Sequence, residues 1–382
     1  MIARLIALLL ALGVFGGGLA IGRASAVAHP LAPEWTVAGE LSRPRAYARA
    51  VAVATGEILV LGGMDPADPR VSVGATELFD PATGEVTVLP QPIAGRLNQG
   101  VTIGWGDRVV VTGGTEWLAG AWRSVSRTDV YLPWSRTWLR APNMVQPRSD
   151  HGAAALVDGR VLVTAGNKDA RVLRSSEIFD PRTNDWTKAA PLPHGRTQFS
   201  MATLPDGRVL VAGGFEDDGK LARTTWLYEP WNDHWDRGPE MLEVRLNHSM
   251  VKLADGDVLF FGGEKMGAGT AERYRWRERR FEYAGVLGEP RLIAQGSLAP
   301  LVVGERVIAV GGLPDDRNRR KFAPTADAEM WDPAKRMWLD LVDPPTSRAY
   351  AQLVATDHAV YRLSGVGDDE TPINTIEQLA WH

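Results

Sequence analysis

A repeat of about fifty residues occurs seven times in the sequence and constrains the fold more strongly than any other feature. Each copy has a short apolar segment that ends in Gly-Gly or a near variant of it, as in EILVLGG and RVLVAGG. The first residues of these pairs lie 48 to 53 residues apart, and they are Gly62, Gly113, Ala165, Gly213, Gly262, Gly311 and Ser364. Such a period is typical of proteins in which each repeat buries its apolar face against the next one.

Two further segments complete each repeat and predict four short strands per copy. Each of the first six pairs is followed by a segment such as SSEIFDPRTNDW, in which Asp and Pro indicate a tight turn between two strands. In five copies the second of these strands opens with an aromatic residue, which we expect to pack on the neighbouring repeat: Trp138, Trp186, Trp235, Phe281 and Trp338. A strand that is led by an Arg precedes each pair.

The Gly-Gly pair, the segment from Glu177 to Trp186 and the spacing resemble those of kelch repeats over residues 34–382. The resemblance implies an all-β fold in which each repeat is one blade of a β-propeller around a central channel. Galactose-oxidase-like enzymes are similar in architecture, but their radical cofactor needs a Tyr cross-linked to a Cys. The sequence contains no Cys, which excludes that cofactor in its known form. We expect a single propeller domain over residues 29–382, without a cofactor.

The two ends of the repeat region predict seven blades and the way in which the ring closes. The last copy, after Arg348, has only three strands, and the segment Pro33–Ala38 resembles the outer strand that begins near Trp186. We therefore expect Trp35 to lie in an N-terminal strand that completes the C-terminal blade. Eight blades would need a further Gly-Gly copy, and six would need one copy that forms no blade.

Residues 1–28 resemble an export signal. Arg4 precedes an uncharged, mostly apolar stretch over residues 5–22, and Ala26-Val27-Ala28 matches a signal cleavage site. The stretch is long for a signal and Arg23 follows it, so an uncleaved membrane anchor is the alternative. In either case we expect the rest of the chain to work outside the cytoplasm of a bacterium, in the periplasm or outside the cell.

The Arg of each repeat provides the candidate ligand site. The seven are Arg45, Arg96, Arg148, Arg196, Arg245, Arg291 and Arg348. Because alternate residues of a strand face the same way, we expect each Arg to share a face with the second residue after it, among them Tyr47, Asp150 and Tyr350. If this face lines the channel mouth, the guanidinium groups suit carboxylates, sulfates or phosphates. The alternative is that each Arg hydrogen-bonds loop carbonyl groups of an adjacent blade.

Two histidines and two long loops are the remaining candidates. His151 and His248 lie three residues after a repeat Arg, where kelch-like repeats often place a structural His. A pair of copper or zinc ligands is the alternative, but no metal-binding spacing occurs, and we predict no metal site. The loop at 313–322 carries mixed charges, and a second loop contains Trp117 and Trp122, whose exposed aromatic rings would favour an interface.

These observations favour a binding or scaffold protein over an enzyme, because no catalytic motif stands out. The formal net charge of −4 argues against a nucleic-acid partner. We expect the propeller loops and the channel mouth to bind a protein or an anionic glycan, with possible membrane association through residues 5–22 if they are uncleaved. The alternative is an enzyme that acts on acidic sugars, in the manner of a mutarotase or epimerase, with Tyr47, Tyr350 or Asp150 moving protons.

Overall fold

The computed structural model describes residues 34–90, 93–263, 269–288, 306–314 and 323–380, together with the backbone of 291–292 and 302–303. The predicted export signal and its cleavage site lie outside the described residues, as do residues 315–322 of the charged loop. Apart from three short 3₁₀ turns, Trp105–Asp107, Pro133–Ser135 and Asp368–Glu370, the regular structure is β. In the described part of the chain, no helix is long and apolar enough to cross a membrane.

The strands form seven antiparallel sheets, which we call blades 1 to 7, and this confirms the predicted seven-bladed propeller. From the innermost strand outwards, blade 1 consists of Arg49–Ala52, Ile58–Leu61, Glu77–Phe79 and Val86–Val88; blade 2 of Gly100–Ile103, Val109–Thr112, Thr128–Leu132 and Thr137–Ala141; and blade 3 of Gly152–Ala155, Val161–Thr164, Ser176–Asp180 and Asp185–Ala189. Blade 4 consists of Ser200–Thr203, Val209–Ala212, Thr225–Glu229 and His234–Arg237, and blade 5 of Ser249–Lys252, Val258–Phe261, Thr270–Arg275 and Arg280–Val286. Blade 6 consists of Val302–Val303, Arg306–Pro314, Thr325–Asp332 and Met337–Asp340, and blade 7 of Gln352–Ala355, Ala359–Leu363, Thr375–Ala380 and Trp35–Glu40. A further strand, Arg291–Leu292, pairs with the far end of Arg306–Pro314.

The apolar core lies between the blades. In six blades the Gly-Gly pair or its variant directly follows the second strand, such as Ile58–Leu61 or Val209–Ala212, in which every residue is buried because the strand is packed on both faces. In blade 6 the strand Arg306–Pro314 continues through Gly311 and Gly312. The buried apolar side chains form seven clusters, and each cluster joins two consecutive blades, including blade 7 with blade 1. The ring therefore has seven interfaces for seven blades, and it is closed.

The N-terminal strand closes the ring as the sequence predicts. Trp35–Glu40 pairs antiparallel with Thr375–Ala380 and forms the outermost strand of blade 7. The indole of Trp35 is buried in the cluster between blades 6 and 7, and its Nε1 donates a hydrogen bond of 2.8 Å to the carbonyl oxygen of Val342. The indoles of Trp138, Trp186 and Trp235 donate to the preceding blade in the same way.

The antiparallel order gives each blade two distinct ends. The Arg-containing loops and the segments after the Gly-Gly pairs lie at one end, which we call the loop end. The turns that join the first strand to the second, and the third to the fourth, lie at the other end, which we call the turn end. Three small hairpins project at the loop end: Met64–Asp65 with Asp68–Ser72, Thr115–Leu118 with Ala121–Ser124, and Asn167–Lys168 with Arg171–Val172.

Candidate functional site

Six of the seven repeat arginines are buried inside the blades. Arg45, Arg96, Arg148, Arg196, Arg245 and Arg348 are at most 1% exposed. The guanidinium group of each one donates to the carbonyl oxygen of the first residue of its own Gly-Gly pair, as Arg148 does to Ala165 at 2.8 Å. These six groups therefore do not line the channel mouth, and their predicted role in ligand binding is corrected to a structural one. The side chain of Arg291 lies outside the described residues.

An acidic side chain balances each buried guanidinium group. In five blades it comes from the third strand: Glu77, Asp129, Glu177, Glu272 and Glu377. Blade 4 has Trp226 at that place, and Glu216 from the segment after the Gly-Gly pair takes over at 2.5 Å from Arg196. These acids occur in the repeat sequence, in ATELFD, RTDVYL and SSEIFD, but on the third strand and not on the innermost strand where the sequence placed the Arg.

Each repeat Arg also links two blades through its backbone. Its carbonyl oxygen accepts a hydrogen bond from the second residue of the preceding Gly-Gly pair, for example from the N–H of Gly114 to Arg148 at 2.8 Å. The N–H of Gly365 in blade 7 donates to Arg45 in blade 1 in the same way, at 3.3 Å. The Arg and the Gly-Gly pair thus hold neighbouring blades together through these hydrogen bonds.

The second residue after each described repeat Arg has a left-handed backbone. Tyr47, Asn98, Asp150, Gln198, Asn247 and Tyr350 have φ between 51° and 57°. This conformation interrupts the extended chain, so the innermost strand begins only at the fourth residue after the Arg, as at Arg49 and Gly152. The expected alternation along one strand was therefore wrong, since it applies only within a continuous strand.

These left-handed residues surround the channel at the loop end. The N–H of Asp150 donates to the carbonyl oxygen of Asn98, and that of Asn247 to Gln198, both at 3.1 Å, so the residues of neighbouring blades follow one another. Tyr47 and Tyr350 meet where blade 7 adjoins blade 1, with ring centroids 4.1 Å apart. Burial and the hydrogen bond between the two hydroxyl groups raise the pKa of Tyr47. Tyr47, Asp150 and Tyr350 thus belong to the left-handed positions at the loop end, and their role in ligand binding stays a prediction.

A polar cavity of about 130 Å³ opens in the channel among blades 1 to 5. Its polar lining consists of Arg49, Gln99, Asp150, Gln198, Asn247, Ser200, Ser249 and the two histidines. Arg49 is buried, which lowers its pKa to about 10, and the charge of Asp150 offsets part of that shift. Burial also raises the pKa of Asp150, whose carboxylate accepts a hydrogen bond from Asn167 at 3.4 Å. Arg49 and Asp150 thus line the same cavity, and a carboxylate at Asp150 favours the charged form of Arg49.

Arg49 lines the cavity but is absent from the ligand-site residues that the sequence predicted. It follows Arg45 by four residues and opens the innermost strand of blade 1, where the other described blades have Gly100, Gly152, Ser200, Ser249 and Gln352. A charged residue at a position that is otherwise small or neutral was the signal that could have identified it.

The two histidines pack between blades, next to the first glycine of the preceding pair. The Nε2 atom of His151 lies 2.9 Å from the Thr112 hydroxyl, and His248 is 6% exposed. Burial lowers the pKa of His151 and brings that of His248 to about 3, so both rings are neutral near pH 7. The same repeat position is Phe199 in blade 4, Gln99 in blade 2 and Ala48 in blade 1.

The hairpin of blade 2 carries an aromatic pair at the loop end. Trp117 and Trp122 face each other across Thr115–Leu118 and Ala121–Ser124, with ring centroids 5.6 Å apart and an interplanar angle of 73°. Trp117 and Leu118 are exposed. Exposed aromatic rings are common at binding surfaces.

Comparison with known proteins gives a consistent picture of the fold. Residues 147–193 match the Kelch motif family. A Kelch-like protein, terF, of Aspergillus terreus (strain NIH 2624 / FGSC A1156) is 29% identical over 124 residues, which cover 31% of this chain and 27% of that protein. The structure is similar to that of a fungal alcohol oxidase of the AA5 family in complex with copper, with a TM-score of 0.70 and 18% identity, over 91% of this chain and 76% of that one.

The likeness to the copper oxidase is one of fold and does not extend to a metal centre. The described residues contain no group of three or more His, Cys, Asp or Glu side chains that could hold a metal ion, and the whole sequence lacks Cys. The residues present therefore do not fit a copper site of that kind. The seven repeats, the kelch-motif match and the closed ring of blades together identify the chain as a kelch-repeat β-propeller.

Proposed function

We propose that this protein is a binding module that holds a partner protein at its loop end, with a carboxylate of the partner entering the channel beside Arg49. Kelch repeats commonly mediate protein interactions, which supports a protein partner in general. The observation that carries the finer proposal is that Arg49 and Asp150 line the same open cavity, in a propeller whose loop end also carries the Trp117–Trp122 pair.

Arg49 and the Trp117–Trp122 pair would contribute to partner binding in different ways. A guanidinium group that is largely shielded from water gains more from a carboxylate than one in bulk water, and its planar donors suit carboxylate geometry. The tryptophan pair is rigid and presents a large apolar area, as the anchor residues of interfaces do. The neutral side chains of Gln198 and Asn247 supply donors and acceptors without adding charge.

An enzyme that acts on acidic sugars is the second candidate, and one observation favours it. Asp150 has a raised pKa inside the cavity, a property of groups that transfer protons. In that case Arg49 would hold the acid group of the sugar. A sugar acid would then bind in the cavity without any partner protein.

Site-directed photocrosslinking in the native cells tests the proposal. A benzophenone amino acid at position 122 should give an adduct of defined mass with one protein, whereas the same group at the exposed position 335 of the turn end should not. Arg49→Gln should reduce that adduct at least tenfold, and Arg43→Gln, at an exposed loop-end position, should leave it unchanged. An adduct that is insensitive to Arg49→Gln would contradict the proposal.

A thermal-shift series separates the two candidates. If glucuronate raises the melting temperature of the wild type and glucose does not, and Arg49→Gln abolishes the shift, the sugar-acid enzyme is favoured. The binding module predicts no shift with either sugar at millimolar concentration.

A further inference from the structure

The hairpin of blade 3 carries two positive charges that have no acidic partner in the described part of the chain. This hairpin joins Asn167–Lys168 to Arg171–Val172, and we call it the basic hairpin. Lys168 and Arg171 lie directly opposite each other in its register, and both side chains are exposed. Among the residues that the structure describes, neither side chain forms an ion pair or a hydrogen bond. Because like charges in opposite positions repel each other, an anion at this hairpin would be stabilised.

The acidic side chains nearby along the loop end are already paired with other groups. The carboxylate of Asp169, at the turn of the basic hairpin, accepts a hydrogen bond of 2.9 Å from the N–H of Ser124 and lies 3.9 Å from the guanidinium group of Arg123. In blade 4, Asp218 pairs with Lys220 at 2.6 Å. These acids therefore leave the two charges of the basic hairpin uncompensated.

The hairpin that carries Trp117 and Trp122, which we call the tryptophan hairpin, is fixed against the basic hairpin. The hydroxyl group of Ser124 donates to the carbonyl oxygen of Asn167 at 3.2 Å and accepts from the N–H of Asp169 at 2.8 Å. Trp122 shares a face of the hairpin with Ser124, because alternate residues of a strand point the same way, and Trp117 lies opposite Trp122 on that face. The indole pair is therefore on the side of its hairpin that contacts the basic hairpin.

The two hairpins together combine apolar area with positive charge. We call this area the hairpin surface and define it as Trp117, Trp122, Lys168 and Arg171. Trp117 is 36% exposed, and Leu118 beside it is 45% exposed. Protein interfaces commonly place aromatic anchors inside a polar rim, and complementary charge across the rim directs association. The rim on this side of the indole pair is basic, so the matching partner is acidic.

We propose that the hairpin surface binds an acidic segment of the partner protein, which places an apolar side chain against the indole pair and carboxylates beside Lys168 and Arg171. This inference rests on the proposed function, since it names the chemistry of the partner that the loop end holds. The basic hairpin is also joined to the channel, because the side chain of Asn167 donates at 3.4 Å to the carboxylate of Asp150, which lines the cavity. The hairpin surface thus adjoins the cavity to which the proposed function assigns a carboxylate.

Selection from a random peptide library tests the chemistry of the partner segment. The full wild-type chain is immobilised and exposed to short random peptides displayed on phage. We expect the enriched peptides to carry a net negative charge together with an aromatic residue or a leucine. Their dissociation constants should rise with added salt, because the charges of the hairpin surface are exposed to the solvent.

Two double variants separate the contributions of charge and apolar area. Lys168→Gln/Arg171→Gln should weaken the binding of the enriched peptides about fivefold, since exposed ion pairs contribute modestly to affinity. Trp117→Ser/Trp122→Ser should weaken it at least about tenfold, as the loss of interface anchors does. Fluorescence anisotropy with the labelled peptides measures both changes.

The matched control removes two exposed cations from the same blades. Arg140→Gln/Lys188→Gln makes the same change in net charge on the outermost strands of blades 2 and 3, and it should leave the dissociation constants unchanged. Enriched peptides without a net negative charge would overturn the proposal. So would peptide binding that does not respond to the loss of Lys168 and Arg171.

Crosslinking in the native cells distinguishes this inference from the proposed function. The adduct at position 122 should decrease in Lys168→Gln/Arg171→Gln as it does in Arg49→Gln. An adduct that depends on Arg49 but not on the two cations would overturn the acidic segment and leave the binding module intact. An adduct that does not depend on Arg49, with acidic peptides still bound at the hairpin surface, would contradict only the entry of a carboxylate into the channel.

Discussion

At the scale of single residues, each buried Arg is stable because its guanidinium group is paired with carbonyl oxygens and a carboxylate. Arg148 has no exposed surface, and its guanidinium group contacts the carbonyl oxygens of Ala165 and Ser175 and the carboxylate of Glu177, all within 2.9 Å. Burial lowers the pKa of Arg148, and Glu177 opposes that shift. The pair is stable because each partner compensates the desolvation of the other.

Arg148→Ala should therefore destabilise the fold severely without acting on any ligand. We expect the free energy of unfolding to fall by about 3–5 kcal/mol, because Glu177 would remain buried without its cation. Arg182→Ala, which removes a solvent-exposed ion pair with Asp180, should leave the free energy of unfolding almost unchanged. Denaturant unfolding of the two variants measures the difference. Comparable losses in the free energy of unfolding would show that the buried ion pair contributes no more to stability than the exposed one.

Residue roles were the part of the molecule that the sequence predicted least well. The recurrence of Arg was evident, but its orientation depended on the left-handed residue two positions later, such as Gln198 or Tyr350, which no periodic pattern reveals. Asp150 and Tyr47 are themselves left-handed residues, and their role in ligand binding stays a prediction. Arg49 was passed over because its importance comes from neighbours in blades 2 and 3, which lie far away in sequence.

At the scale of elements, the Gly-Gly pair is required by close approach between blades as well as by its conformation. Gly113 has a φ of 55°, and a Cβ atom there would overlap the carbonyl oxygen of Arg148 in the next blade. That oxygen cannot move freely, because the N–H of Gly114 donates to it at 2.8 Å. The sequence therefore predicted the strand ends correctly from their glycines, since the same constraint recurs in each blade.

Comparing two glycines separates the effect of space from that of conformation. Gly120 has a φ of 81°, and nothing lies within 4 Å of the place a Cβ would take. Gly120→Ala should cost about 1–2 kcal/mol, from backbone strain alone. Gly113→Ala should cost about 1–3 kcal/mol more, because the contact with Arg148 is added to the strain. Thermal or denaturant unfolding measures both, and equal losses would remove the steric explanation.

At the scale of the whole molecule, the number of blades and the closure were predictable, whereas the site was not. Seven Gly-Gly positions and a stray outer-strand Trp35 determine the ring, because each blade depends only on its neighbours. The cavity is lined by one residue of blade 1 and by three or four consecutive residues from each of blades 2 to 5, so its shape depends on how these innermost segments are placed around the channel. Spacing along the chain contains no information on that placement.

Trp35 provides the sharpest test of closure, since it joins the first strand of the propeller to its last blades. Its side chain is 6% exposed in the cluster that joins blades 6 and 7, and its strand pairs with Thr375–Ala380. We expect Trp35→Ala to lower the free energy of unfolding by about 3–5 kcal/mol, because a large cavity opens and the hydrogen bond to Val342 is lost. Val37→Ala is the control, since Val37 lies in the same strand and is 61% exposed. The loss should appear as one cooperative transition at lower temperature, monitored by circular dichroism, because opening one interface exposes two strand edges and weakens every blade. Equal melting temperatures for the two variants would mean that the N-terminal strand does not hold the ring closed.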